Sequence, residues 1–151
     1  MVAIFSIRPQ YTKLIFAGLK TVELRRTFPR RIEKGSVVLI WESSPKKQLA
    51  GTVEVEGVIS YPVEELWSEV ADDAGISREE FDDYFDGAEF GVAVFFSRPK
   101  EFADKPTLSK LRRTHCFRPP QSFRYASESE LEFLEMLSQQ HIKSLTHKEN
   151  R

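Results

Sequence analysis

The chain has 151 residues, of which 40% are hydrophobic and 30% are charged, a composition that excludes an intrinsically disordered protein. This length fits one domain with its own hydrophobic core, and the single cysteine, Cys116, excludes an intramolecular disulfide. The net charge is −1, and the sequence contains neither a signal-peptide pattern nor a membrane-length apolar run, so we expect a cytoplasmic protein without membrane contact.

Six segments have the apolar or alternating pattern of β-strands. They are residues 3–7, 20–26, 36–41, 49–59, 90–96 and 122–125. Between the first two, Pro9 suits the first turn of a helix and Gly18 suits its end. The apolar stripe predicted for this helix consists of Tyr11, Leu14, Ile15 and Leu19.

Two acidic helices are predicted in the middle of the chain. The first covers residues 63–74, and the second begins after Ser77, which forms a capping box with Glu80. The second helix is expected to turn Phe81, Tyr84 and Phe85 inward. We expect that the acidic surface of residues 63–86 is able to dock a protein partner.

The C-terminal part is predicted to hold a short turn or helix at 108–113 and a helix from Ser127 to about residue 140. Residues 143–151 are expected to be a frayed tail. We therefore divide the chain into a domain at 1–126 and a C-terminal helix with tail at 127–151. Strands that do not alternate strictly with helices favour an α+β fold with a mixed barrel.

Charge is distributed in blocks along the chain. Residues 1–60 carry ten Lys and Arg against five Asp and Glu, residues 61–90 carry one against eleven, and residues 91–126 carry eight against two. Folding is expected to gather the two basic blocks on one face and leave the acidic block elsewhere. Such a face favours a polyanionic partner, while simple solvation of the charges is the plainer alternative.

Several motifs resemble those of the ASCH family, over about residues 3–126. A helix is followed by a Gly-x-Lys turn and by a strand that ends in Glu-x-Arg, and two further blocks follow downstream. The matching segments are SIRPQY at 6–11, IFAGLKTVELRR at 15–26, IWESSP at 40–45, GTVEV at 51–55 and PQSF at 120–123.

The resemblance implies an α+β fold, a PUA-like mixed β-barrel of five to six strands with flanking helices and a cleft beside the first helix. The family is similar to RNA-binding PUA domains and to readers of modified bases, and one subgroup is described as predicted regulators. Some small relatives are amidohydrolases that act on acetylated cytidine through a Lys, a Thr and a Glu. Others are proposed to cut RNA, so the family by itself does not select one function.

The Gly-x-Lys…Glu-x-Arg block supplies the centre of the candidate site. Lys20 follows a tight turn and is expected to project into the cleft, either to contact a phosphate or, if desolvated, to act in catalysis. Glu23 and Arg25 share strand parity, so both face one side, where they form a salt bridge or present the Arg fork to a phosphate or base. Arg26 points the other way and is expected to join a basic rim.

Polar residues from three other segments complete the predicted ligand-binding set. The hydroxyls of Ser43 and Ser44 and the side chains of Gln121 and Ser122 suit a base edge or a ligand. Arg8 precedes the first helix. Arginines near Gln121 favour phosphate contact, namely Arg112, Arg113, Arg118 and Arg124.

Two functions stay open at this point. The first is a binding module for RNA, DNA or a nucleotide, a modified base included. The second is an enzyme on RNA or a modified nucleoside that uses Lys20 and Glu23. Glu23 stands where the amidohydrolase relatives have their Thr, and only Glu79 or Glu80 is available as their Glu. We expect no cofactor and no metal, since no Cys and His spacing suits zinc.

Overall fold

The computed structural model describes residues 2–27, 30–138 and 142. These residues form six strands and five helices. In chain order they are β1 (Val2–Ile7), α1 (Pro9–Phe16), β2 (Val22–Arg25), β3 (Val37–Glu42), β4 (Gln48–Pro62), α2 (Val63–Val70), α3 (Arg78–Tyr84), β5 (Phe90–Glu101), α4 (Leu108–Thr114), β6 (Phe123–Tyr125) and α5 (Glu128–Ser138). Each predicted strand and helix has a counterpart here, and the predicted tail at 143–151 lies outside the described residues.

The six strands form one mixed sheet in the order β2-β5-β4-β3-β1-β6. Only β1 and β3 run parallel, with Ile4 opposite Leu39, and all other neighbours are antiparallel. The predicted α+β fold with a PUA-like sheet of five to six strands is confirmed. The sheet curls so that its two edges, β2 and β6, face each other without pairing, and this open seam positions the candidate site.

The strands β1 and β3 are buried on both faces, which explains their nearly continuous apolar sequences. Alternate residues of β1 enter different clusters. Phe5 and Ile7 point into the curled sheet, where Ile15 of α1 closes the inner core, while Val2 and Ile4 point outward. Helix α1 therefore packs on the concave face of the sheet and closes the inner core.

Two outer clusters cover the convex side. One packs α4 and α5 against β1 and β3, with Leu111, Leu134 and Trp41 at its centre. The other packs α2 and α3 against β2 and β5 through Leu66 and Phe81. The second cluster brings α3 beside the edge strand β2, which matters for the site.

Helix boundaries follow their predicted caps. Ser77 accepts a hydrogen bond from the amide of Glu80 at 3.1 Å, and Ser127 accepts one from the amide of Glu130 at 3.2 Å. Gly18 adopts a left-handed φ of 76° just after α1. Both serine N-caps and the glycine stop are confirmed.

Two side chains predicted to face the core are exposed instead. Leu19 is 67% exposed because α1 ends at Phe16 and the chain reverses at Gly18, which removes Leu19 from the helical stripe. Tyr84 is 40% exposed, while Phe81 and Phe85 of the same turn are buried. Tyr84 lies instead at the edge of α3 that faces the seam.

None of the helices in the described ranges has the length and apolar character needed to cross a membrane. Helix α5 packs on the sheet through Leu131 and Leu134. The division of the chain at residue 126 stays a prediction.

Two glycines of β4 allow a matched test of packing. A Cβ at Gly51 would lie 2.2 Å from the carbonyl oxygen of Lys100 and 2.7 Å from the ring of Phe16, whereas a Cβ at Gly57 meets nothing within 4 Å. We expect Gly51→Ala to lower the free energy of unfolding by about 1–3 kcal/mol through overpacking. Gly57→Ala should leave it unchanged or raise it by up to about 1 kcal/mol. Urea denaturation of both variants measures this, and equal effects would contradict the packing of β4 against α1 and β5.

Candidate functional site

A cleft of about 700 Å³ opens at the seam between β2 on one side and β1 with the segment before β6 on the other. Helices α1 and α3 supply its remaining walls. Its lining residues are Ser6, Ile7, Arg8, Gln10, Tyr11, Glu23, Leu24, Arg25, Glu80, Asp83, Tyr84, Gln121 and Ser122.

The side chain of Arg25 crosses the seam. Its Nη1 donates to the hydroxyl of Ser122 at 2.9 Å, and its Nη2 donates to the carbonyl oxygen of Ser6 at 3.3 Å. The guanidinium also lies 4.7 Å from the ring centroid of Phe5. Arg25 is 7% exposed, so these bonds form in a poorly solvated environment where charge-assisted hydrogen bonds are strong. Arg25 of β2 is thereby joined to β1 and to the segment before β6.

Glu23 lies beside Arg25 at the cleft wall. Its Oε1 is 4.0 Å from Nε of Arg25, a distance too long for a hydrogen bond. Within the described part of the chain, Oε2 of Glu23 and Nε of Arg25 are both buried without a hydrogen-bond partner. Buried polar groups without partners are rare because each costs about 1–3 kcal/mol. The pair therefore leaves one acceptor and one donor unsatisfied in the wall of the cleft.

Lys20 lies in a narrow annex of about 100 Å³ that shares walls with the cleft, among them Tyr11, Glu23 and Glu80. The side chain is 3% exposed, and its Nζ donates to the carbonyl oxygen of Ala74 at 2.5 Å. The backbone amide of Lys20 also donates to Leu14, at 3.1 Å. The end of α1 and the α2–α3 connection therefore hold this lysine at the base of the site.

The surroundings of Lys20 change its proton affinity. Burial lowers the pKa of Lys20 below its ordinary 10.5, and the Arg25 charge acts in the same direction. The carboxylates of Glu23 and Glu80 offset part of this effect. Burial, together with its 3.0 Å hydrogen bond to Glu80, raises the pKa of Tyr11. The site thus pairs an amine that loses its proton more easily with a phenol that keeps its proton.

Positive and negative side chains are balanced in the cleft and annex. The cations are Arg8, Lys20 and Arg25, and the anions are Glu23, Glu80 and Asp83. The expectation that the acidic block lies away from the site is wrong, because packing of α3 on β2 carries two of its acids into the cleft wall. Over the described ranges, no group of three His, Cys, Asp or Glu side chains is placed to hold a metal ion.

Six of the ten predicted site residues come together here. Five line the cleft and Lys20 lines the annex, although they come from three separate parts of the chain. They are Arg8, Lys20, Glu23, Arg25, Gln121 and Ser122. The shared parity of Glu23 and Arg25 is what places both on the inner side of the seam.

The other four predicted residues lie outside the cleft lining. Arg26 points outward and donates to the carbonyl oxygen of Tyr84 at 3.1 Å. Arg118 is exposed, and its carbonyl oxygen accepts from Nε of Arg124 at 2.8 Å. The amide of Ser43 donates to the carbonyl oxygen of Ile7 at 3.0 Å, and neither Ser43 nor Ser44 is part of the cleft lining.

Eight residues of the cleft lining were not in the predicted set. They are Ser6, Ile7, Gln10, Tyr11, Leu24, Glu80, Asp83 and Tyr84. Of these, Glu80 was named as the capping partner of Ser77 and as one of two glutamates for the enzyme alternative. Helical periodicity identifies the buried face of α3 but not the strand on which that face packs, so the local sequence contains no signal that places α3 beside β2.

Comparison with known proteins assigns the family. The ASCH domain model matches residues 5–139. An ASCH domain-containing ribonuclease of Zymomonas mobilis is 31% identical over 139 residues, which are 91% of this chain and 93% of the relative. The chain belongs to the ASCH domain family. The resemblance that the sequence motifs indicated is therefore confirmed.

Solved structures agree with this family. The crystal structure of the ASCH protein from Zymomonas mobilis has a TM-score of 0.83 at 29% identity, covering 90% of this chain and 94% of that chain. The N-terminal domain of McrB from Staphylothermus marinus shares the fold alone, with a TM-score of 0.55 at 10% identity, over 89% and 93% of the two chains.

The crossing of the seam by Arg25 gives a direct test in this ASCH domain. Arg25→Lys keeps the charge but lacks the planar fork that contacts Ser6 and Ser122 together. We expect the free energy of unfolding to fall by about 1–3 kcal/mol. The adjacent and exposed Arg26→Lys should change it by no more than about 0.5 kcal/mol. Urea denaturation measures both, and a similar small effect at the two positions would show that the seam does not depend on the fork.

Proposed function

We propose that this ASCH domain binds single-stranded RNA and holds one unpaired base in the seam cleft. The observation that carries the proposal is the charge-balanced cleft, whose wall holds an unsatisfied acceptor on Glu23 and an unsatisfied donor on Arg25. A nucleobase edge offers the complementary donors and acceptors. Such an edge is accessible only when the base is unstacked and unpaired.

Other side chains of the cleft suit the same ligand. Gln121 is exposed at the rim, and its amide both donates and accepts. Tyr11 and Tyr84 present aromatic rings to the cavity, and stacking of a base on an aromatic ring contributes about 1–3 kcal/mol. The cleft therefore combines edge recognition with a stacking surface.

The family comparison favours RNA over DNA. The relative that matches 91% of this chain bears the name of a ribonuclease. A modified base is a narrower form of the proposed ligand, and the acidic helices remain our proposed surface for a protein partner. The proposal for RNA does not depend on either.

Binding is tested by fluorescence anisotropy with single-stranded RNA, single-stranded DNA of the same sequence, duplex RNA, and RNA containing N4-acetylcytidine. We expect the single-stranded RNA to bind at least about 10-fold more tightly than the duplex. Glu23→Ala and Gln121→Ala should each weaken its binding about 10-fold, since one base contact contributes about 1–3 kcal/mol.

The matched control is Glu33→Ala, which removes an exposed carboxylate outside the cleft and should leave the affinity unchanged. Gln121 is exposed, so its variant tests the cleft even where Glu23→Ala perturbs folding. Unchanged affinity in both cleft variants, or equal affinity for duplex and single strand, would overturn the proposal.

A second candidate function is cleavage of RNA in the same cleft, and the buried Lys20 favours it. A lowered pKa makes the neutral amine more available as a general base. In this reaction the amine takes the proton of a ribose 2′-hydroxyl, and the resulting oxygen attacks the adjacent phosphorus. The bond from phosphorus to the 5′-oxygen breaks, and water protonates the departing oxygen. The carboxylates of Glu23 and Glu80 offset the positive charge that Lys20 gains.

Cleavage is tested with single-stranded RNA in the presence of EDTA. Only the deprotonated amine acts as the base, so we expect the rate to rise with pH and to level off above the pKa of Lys20. Burial places this pKa below 10.5. Lys20→Ala should lower the rate at least about 100-fold, and Glu23→Gln should also abolish cleavage. DNA should not be cut, since it lacks the 2′-hydroxyl. Activity that survives in either variant, or that Lys34→Ala removes equally, would exclude this assignment.

A further inference from the structure

A second cavity, of about 590 Å³, lies outside the cleft between the turn at 44–47 and helix α4. We call it the basic groove. Its walls carry Lys46 and Lys47 on the turn and Arg112 and Arg113 on the helix. The hydroxyl-bearing Ser109 also lines it. Four positive side chains thus surround one open cavity, and none of its described lining residues is acidic.

Within the described residues, the four cations are not paired with an acidic side chain. All four are exposed, and their side chains have no hydrogen bond or ion pair with any residue that the structure describes. By contrast, Lys105 on the neighbouring surface forms an ion pair with Glu101 at 2.7 Å. Like charges held close together repel one another, so their clustering without a counter-charge indicates an anionic partner.

Backbone hydrogen bonds join the two walls of the basic groove. The amide of Leu108 donates to the carbonyl oxygen of Lys47 at 2.8 Å, and the amide of Leu49 donates to that of Pro106 at 2.9 Å. Lys47 itself has a left-handed φ of 48°. A residue other than glycine pays about 1–3 kcal/mol for a sparsely populated conformation, which persists only where the surrounding structure imposes it. The turn that carries Lys46 and Lys47 is therefore held against the start of helix α4 by backbone hydrogen bonds.

The basic groove begins next to the cleft. Ile7 lines the cleft and accepts a hydrogen bond from the amide of Ser43 at 3.0 Å, and Pro45, two residues further, lines the groove. At about 3.5 Å per residue, the two margins lie within about 10 Å of each other. The cleft has balanced charge, so it offers a strand of nucleic acid little net attraction for its phosphates. The four cations of the basic groove attract the phosphates.

We propose that the basic groove binds consecutive backbone phosphates of the strand whose base occupies the cleft. The cleft then selects the base, and the groove supplies the affinity that depends on salt. This inference rests on the proposed function for the identity of the strand, while the phosphate chemistry follows from the groove alone.

The test compares three proteins by fluorescence anisotropy over a series of salt concentrations. The groove variant Lys47→Gln/Arg112→Gln removes one charge from each wall. The control variant Lys34→Gln/Lys100→Gln removes two exposed charges outside the cleft and the groove. The probes are a 12-nucleotide single-stranded RNA, DNA of the same sequence and a two-nucleotide RNA.

We expect the groove variant to bind the 12-nucleotide RNA about 10-fold more weakly at low salt. The slope of log affinity against log salt should shrink by about 1.4, since each lost phosphate contact on a single strand contributes about 0.7. Binding of the two-nucleotide RNA should not change, because that probe fills only the cleft. The DNA probe should lose affinity in the same proportion, since its phosphates are the same.

The outcomes separate the groove from the cleft. If groove and control variants behave alike while Gln121→Ala weakens binding, the groove assignment is wrong and the cleft assignment stands. If the groove variant alone loses affinity while both cleft variants bind normally, the groove stands and the proposed function of the cleft fails. An equal loss in the groove and control variants shows a general charge effect and overturns the groove.

Discussion

The guanidinium of Arg25 bridges the only gap that the described sheet leaves between facing edges. The guanidinium donates to the carbonyl oxygen of Ser6 on β1 and to the hydroxyl of Ser122 before β6 at the same time. The gap is wide enough to be a cleft because it is bridged by a side chain instead of by strand pairing. Stability and the site therefore depend on the same contact, with Phe5 beneath it and Glu23 beside it.

Charge is divided between two cavities of this ASCH domain. The seam cleft balances its cations with acids from α3 and β2, while the basic groove has four cations and no described acid in its lining. Edge recognition of a base needs hydrogen-bonding groups in a partly dry site, where an excess of one charge is costly. Attraction of phosphates needs exposed cations. The two tasks favour opposite environments, and this is a physical reason to separate them by a short distance.

Much of the fold and part of the site were predictable. The strand segments, the glycine stop after α1 and the N-caps at Ser77 and Ser127 all have counterparts in the structure, because each depends on residues close in the chain. The presence of Lys20, Glu23 and Arg25 at the site was also predictable. Lys20 follows a tight turn, and Glu23 and Arg25 occupy alternate positions of β2, so their side chains lie on the same face of the sheet. The position of Ser44 outside the cleft was not predictable, because its turn is joined to β1, a strand far away in the sequence, through the amide of Ser43.

By itself the sequence determined the local elements, the family motifs and the parity that turns Glu23 and Arg25 inward. Only the tertiary structure decided that α3 packs beside β2, which brings Glu80 and Tyr84 to the cleft, and that Lys47 and Arg112 share a groove. The reason is that periodicity reports which face of an element is buried, whereas the element that covers this face is chosen by packing between residues far apart in the chain. Net charge counted along the chain could not show that acids would line the cleft.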